Sequence, residues 1–181
     1  CTINIDHHIT NTRYANINIV DSKAAATAEI VFHLIRNLTG DLDLAICEAL
    51  YTAIVTDTGG FGFSNTTPNT HRISAELLEY GLDVDRLTTL IYRSNPVEKI
   101  KLSAKVLNTL ELHFRNKVAF LTVTQSMVNE TGADDNGTDG IINFAIDIIG
   151  IECAALFKEL SGNRTKVSFR TKAMVDASAV A

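Results

Sequence analysis

Two apolar runs that stop abruptly on acids and imidazoles constrain this chain more than any other feature. Ile3-Asn4-Ile5 runs into Asp6-His7-His8, and Ile54-Val55 runs into Thr56-Asp57-Thr58-Gly59-Gly60-Phe61. Each run reads as the end of a buried strand or helix, so its polar residues emerge at the rim of an α/β layer. Ligands and metals gather at that rim. Imidazole suits Mn, Fe or Zn, and a neighbouring carboxylate can bind the ion or orient a ring. On pattern alone, a His-His pair after a strand also suits an ordinary polar loop, and Asp before Gly-Gly an ordinary turn.

Around these stretches the first half reads as alternating short strands and helices. Thr2 to Ile5 and Ile17 to Val20 are extended, separated by a loop from Asp6 to Asn16 rich in Asn and Thr. Asp21 or Ser22 can cap a helix from about Lys23 to Leu38, with Ala28, Val31, Phe32 and Ile35 as its apolar stripe and Gly40 as its stop. Leu42 to Val55 is apolar on most sides, which predicts a buried helix feeding Asp57 into the glycine turn. Thr67-Pro68 opens a third helix ending near Gly81, and Asp83 or Asp85 opens a fourth reaching about Arg93.

Ser94-Asn95-Pro96 breaks the pattern, and Pro96 to Leu110 reads as a long amphipathic helix. A hairpin follows, 111–114 and 117–124, turning at Arg115-Asn116. Then come a short helix at 125–130, a polar turn at 132–137 and a helix at 139–148. Two strands, 152–160 and 166–170, flank Ser161-Gly162-Asn163. The expected organisation is α/β: one unit over 1–95, a linker helix over 96–111, and a smaller mixed α/β unit over 112–181.

Asp6-His7-His8, Asn11, Arg13, Val20-Asp21 and Thr56-Asp57-Thr58-Gly59-Gly60-Phe61, in that order, resemble the DHH family of phosphoesterases, named for the triplet. The likeness is greatest to its bifunctional oligoribonuclease and 3′-phosphoadenosine 5′-phosphate phosphatase branch. Asp139-Gly140-Ile141-Ile142-Asn143, the Gly150-Ile151 step and Phe169-Arg170-Thr171-Lys172 resemble the DHH-associated C-terminal domain. The resemblance covers essentially the whole chain. It implies a partial DHH α/β domain joined by the linker helix to a partial substrate-binding domain.

The resemblance also implies the roles of single residues. His7 and Asp57 would be metal ligands, and Asp6 the carboxylate behind them that holds a histidine ring. His8 would face the substrate phosphate, joined by Arg13 and, from the second domain, Arg170. Oxygen and imidazole ligands without thiolate favour Mn²⁺, with Mg²⁺ or Co²⁺ as alternatives. Without the family, Arg170 would read as an exposed strand residue. His33, His71 and His113 read as structural or exposed.

The family's upstream His-x-x-Pro-Asp-x-Asp motif, a further aspartate and the Gly-Gly-Gly-His motif have no counterpart here. With Cys rather than Met at position 1, the expectation is an internal fragment of a longer enzyme, inactive or nearly so by itself. The implied parent is a phosphoric ester hydrolase, acting on short oligoribonucleotides or 3′,5′-bisphosphorylated nucleosides. A sibling activity also fits the family: pyrophosphatase, exopolyphosphatase-related, cleavage of cyclic-dinucleotide products, or single-strand exonuclease. A non-catalytic nucleotide-binding module fits as well, and a homodimer is a compatible assembly.

Composition narrows these readings. The 181 residues are 46% apolar and 20% charged, which is globular rather than disordered. A formal charge of −5 and the lack of aromatic-interleaved basic tracts disfavour a long-strand nuclease. Cys1, Cys47 and Cys153 are far apart with no CxxC pair, which points to reduced thiols in a cytoplasmic setting and excludes a zinc ribbon. No run approaches the roughly 18 apolar residues of a membrane helix.

Overall fold

The computed structural model describes residues 1–38 and 40–172, at 135 and 136 the backbone alone. The chain is mixed α/β and divides into two compact units, Cys1–Ser94 and Asn95–Ala181. The end of the expected second domain, 173–181, lies outside the described residues.

In the first unit, β1 (Ile3–Asp6) and β2 (Ile17–Val20) pair in parallel, Ile3 with Ile17 through Asp6 with Val20. The loop between them is held by asparagines: the buried Asn4 donates Nδ2 to Asn11 Oδ1 at 2.9 Å and Asn18 Oδ1 at 3.2 Å. Burying amides is tolerable only because they bond one another. Helix α1 (Thr27–Leu38) starts later than its cap signal predicts. Asp21 instead closes a tight turn, accepting Lys23 N on its side chain and Ala24 N on its carbonyl. Ala25 and Ala26 are then fully buried before the helix begins.

Helix α2 (Leu44–Asp57) is capped by Asp43, which accepts Ile46 N at 2.8 Å. Helix α3 (Pro68–Leu78) has Thr67 and Thr70 in a reciprocal capping box. Helix α4 (Val84–Thr88), capped by Asp83, continues into a π-helical turn, Thr89–Arg93. Phe32, Leu50, Ile54, Ile73, Leu77 and Leu87 form the core. Ile54 and Leu77 are completely buried, and such side chains contribute roughly 1.5–3 kcal/mol each. That burial fixes the rotation of α2 and hence the place where Asp57 emerges one turn later.

The second unit comprises α5 (Val97–Leu107), β3 (Glu111–His113), β4 (Val118–Val123), α6 (Gln125–Thr131), a 3₁₀ turn at Asp135–Thr138, α7 (Ile141–Ile146), β5 (Cys153–Leu160) and β6 (Arg164–Thr171). The sheet order is β3-β4-β5-β6, with β4 and β5 parallel and the outer pairs antiparallel. Ala119, Leu121, Val123, Ala154 and Leu156 form an apolar face packed by Ile141, Ile142 and Ala145 of α7. The stretch expected as a connector at 96–111 is built into this core, because Leu102 and Val106 of α5 are fully buried there. It is therefore part of the second unit, and the helix stops at Leu107. The three cysteines are free thiols.

Candidate active site

The end of β1 delivers Asp6, His7 and His8 into a corner of the first unit. Asp6 organises it. Its Oδ1 accepts the backbone N–H of His7 at 2.7 Å and of His8 at 3.1 Å, and His8 Nδ1 at 2.7 Å. Its Oδ2 accepts Asn11 Nδ2 at 2.6 Å. The Asn11 amide, followed by the His8 ring and backbone, holds the Asp6 carboxyl far below the usual carboxylate range. Asp6 is thus a fixed negative charge committed to positioning its neighbours. An ionised carboxylate can only accept, so His8 Nδ1 is the donor, and the mostly exposed His8 ring turns Nε2 to solvent.

His7 is held differently. Its Nδ1 lies 3.3 Å from the Ala24 carbonyl, an acceptor only, so Nδ1 carries the proton. In the neutral ring this leaves a lone pair on Nε2, which points at Asp57 Oδ2, 3.6 Å away. The side chains are 18% and 44% exposed, so solvent or a ligand can reach the gap.

Asp57 is placed by the termination of α2. Thr58 is fully buried, its hydroxyl donating back to Ile54 O at 2.7 Å while its oxygen accepts Phe61 N at 3.0 Å. Gly59 then turns left-handed at φ 57°, a conformation that favours glycine, and the exposed Phe63 ring lies over it, 2.5 Å from where a Cβ would sit. Asn65 Nδ2 ties this turn to the other side of the corner, donating to Ala25 O at 2.9 Å and Asp57 O at 3.1 Å.

The corner's chemistry fits a hard or borderline divalent cation. An imidazole nitrogen and a carboxylate oxygen converge at 3.6 Å, longer than a hydrogen bond between them would be. Asp6, His7 and His8 also place ligand atoms within 4.8 Å of one another. The structure brings Asp6, His7, His8 and Asp57 together. Arg13, at φ 53°, donates its backbone N–H to Asn11 Oδ1 at 2.7 Å while its side chain faces solvent. Arg170 lies on β6 of the second unit, lining a small cavity there. His71 stacks on Phe61 at 5.0 Å, His33 meets Phe32 edge-on at 5.3 Å, and His113 packs on Phe120 at 4.7 Å.

Sequence reasoning missed Asn4, Ala24 and Asn65 as supports of the corner. It also missed the buried Glu29, which accepts the Thr70 hydroxyl at 2.6 Å. Nothing in the local sequence marks Glu29 as buried, since a glutamate in the first turn of a helix is ordinarily a solvated residue.

No family model matches the sequence. Relatives do. The bifunctional oligoribonuclease and PAP phosphatase NrnA of Thermus thermophilus is 35% identical over 181 residues, 99% of this chain and 53% of that protein. Its Bacillus subtilis namesake is 26% identical over 174 residues, 94% of this chain and 55% of its own length. The crystal structure of an exopolyphosphatase-related protein from Bacteroides fragilis superposes with a TM-score of 0.87 at 25% identity, covering 94% of this chain and 50% of that one. The chain belongs to the DHH family of phosphoesterases. It spans about half the length of the curated relatives it matches. In this DHH-family chain, the triplet itself splits between two tasks: Asp6 and His8 bond each other, while His7 turns to Asp57.

Proposed function

We propose that this chain carries the His7–Asp57 part of the metal site of a divalent-metal-dependent phosphoesterase. Its substrates would be short oligoribonucleotides or 3′,5′-bisphosphorylated nucleosides such as 3′-phosphoadenosine 5′-phosphate. The observation that carries this reading is the convergence of His7 Nε2 and Asp57 Oδ2, with the ring's other nitrogen held by Ala24. The 35% identity to a bifunctional oligoribonuclease and PAP phosphatase supports the substrate class.

His7 and Asp57 would hold the ion, Mn²⁺ by preference, with Mg²⁺ or Co²⁺ as substitutes. When bound, such an ion supplies an activated water near neutral pH and offsets negative charge on phosphate oxygens. The chain's own residues do the rest. Ala24 keeps the His7 proton on Nδ1, so the nitrogen facing Asp57 stays available as a ligand. Asp6 fixes the His8 ring through Nδ1, so a protonated His8 presents Nε2–H toward a phosphate oxygen. Arg13 in the loop, and separately Arg170 in the second unit, each carry a guanidinium group of the kind suited to two-point phosphate contact.

The test is hydrolysis of a short oligoribonucleotide and of 3′-phosphoadenosine 5′-phosphate by the natural gene product that contains this chain. Activity should vanish with a chelator and return with Mn²⁺. Hydrolysis indifferent to the chelator would overturn the metal reading, and failure on both substrates would overturn the substrate class.

A further inference from the structure

The two side chains that face each other across the corner come from distant parts of the chain. His7 follows β1 and is steadied by the Ala24 carbonyl, while Asp57 is the last residue of α2. One side chain, Asn65, holds both supports. Its Nδ2 donates to the Ala25 carbonyl at 2.9 Å and to the Asp57 carbonyl at 3.1 Å. Ala25 directly follows Ala24 and is fully buried. A single amide nitrogen therefore grips the backbone that steadies the His7 ring and the backbone that carries the Asp57 carboxylate. The two protons of a planar amide are fixed relative to each other, so this nitrogen sets the spacing of the two carbonyls. Turned over, the amide would aim its oxygen at two acceptors, which settles its orientation.

The arrangement is costly and rigid. Asn65 Oδ1 is buried and has no hydrogen-bond partner among the described residues. An unpaired buried acceptor costs stability, so the amide is kept in place by the bonds it donates. The backbone around it is pinned on both sides. Phe63 N donates to Thr58 O at 2.9 Å, and the Thr67–Thr70 capping box opens α3 just beyond.

We propose that Asn65 is a positioning residue of the cation site: it sets the separation of His7 Nε2 and Asp57 Oδ2, and with it the affinity for the ion. It acts through the backbone of Ala25 and Asp57. Without the amide the two carbonyls are free to part, and an ion has to draw its ligands together at the expense of its own binding. The assignment deepens the reading above and rests on it, since it needs His7 and Asp57 to hold the ion.

The experiment is Mn²⁺ binding by the natural gene product without substrate, followed by the electron paramagnetic resonance of free Mn²⁺. Asn65→Ala should weaken binding by about tenfold or more, the loss typical of removing an outer partner of a metal ligand. Turnover of 3′-phosphoadenosine 5′-phosphate by this variant should fall at limiting Mn²⁺ and recover at saturating Mn²⁺. A side chain that only stabilised the fold would lower the urea midpoint and leave the affinity of the folded protein unchanged. Ile73→Val, which trims a buried side chain of the same unit, supplies that comparison and should behave in this way. Should Asn65→Ala not fold, Asn65→Ser, whose hydroxyl keeps one donated bond, carries the same test with a smaller loss expected. The assignment falls if the folded Asn65 variant binds Mn²⁺ as the parent does, or if Ile73→Val weakens binding as much. His7→Ala separates the two failures. Weakened binding in His7→Ala but not in the Asn65 variant removes the role of Asn65 alone. Binding at parent strength in His7→Ala removes the metal-ligand reading and this assignment with it.

Discussion

One carboxylate lays out the first corner of this protein. Asp6 accepts two backbone N–H groups, a ring nitrogen and a side-chain amide, which leaves little of it for direct ligand contact and explains why His7, not Asp6, faces Asp57. The adjacency Asp6-His7-His8 was plain in the sequence, but the division of labour within it was not. It depends on Ala24 and Asn11, whose contacts to the triplet follow from the turn at Asp21 and the asparagine-held loop. Elsewhere, single charges act locally. Lys105 Nζ and Ser126 Oγ both donate to Glu130, and Lys105 holds that carboxyl below its ordinary value of 4.5. A depressed carboxyl stabilises the folded chain above its ordinary value and loses that contribution as the pH falls from there. Lys105→Met should therefore lower the urea midpoint near neutral pH, and the gap to the parent chain should close as the pH drops below 4.5. A gap that persists into strong acid would show that the lysine acts by packing instead.

At the scale of elements, two helices of the first unit were readable from their starts: Thr67-Pro68 and Asp83 cap the helices that follow, whereas Asp43, read as lying inside a helix from Leu42, caps the one that begins at Leu44. The start of α1 was less legible, because Asp21-Ser22 serves a turn as well as a helix cap. The amphipathic stretch after Pro96 suits a connector or a core helix equally; only the full burial of Leu102 and Val106 decides it. The tie between α1 and α3 had no local signature at all. Glu29 and Thr70 are 41 residues apart, yet the Thr70 hydroxyl donates to the buried carboxylate and Asn69 Nδ2 approaches its other oxygen at 3.3 Å. Glu29→Ala should cost about 1–3 kcal/mol, the penalty for orphaning buried polar groups. Glu29→Gln, which keeps an acceptor for Thr70, should cost less. Denaturant unfolding checks both, and a silent Glu29→Ala would mean the tie adds nothing.

At the scale of the whole molecule, each of the two units has its own apolar core. Among the described residues no helix is long and apolar enough to cross a membrane. The first unit, among the described residues, places acids and imidazoles together at Asp6, His7, His8 and Asp57, and the second has a cavity lined by Lys158, Lys166 and Arg170. The α/β class was legible in the sequence, and Asp6 and Asp57 stand at a strand end and a helix end where the apolar runs stop. The cavity beside β6 was not legible, since it arises from cross-strand register that no local pattern specifies.

The most direct test of the account is Asp57→Asn in the natural gene product, assayed for Mn²⁺-dependent release of phosphate from 3′-phosphoadenosine 5′-phosphate. Asp57 is partly exposed at the end of α2, so the folded state should survive with its urea midpoint nearly unchanged. Turnover should fall by more than the roughly 10–100-fold typical of losing an outer partner of a metal ligand, and added Mn²⁺ should not restore it. Turnover retained at the parent level in a folded Asp57→Asn protein would contradict the central claim that His7 and Asp57 hold the catalytic ion.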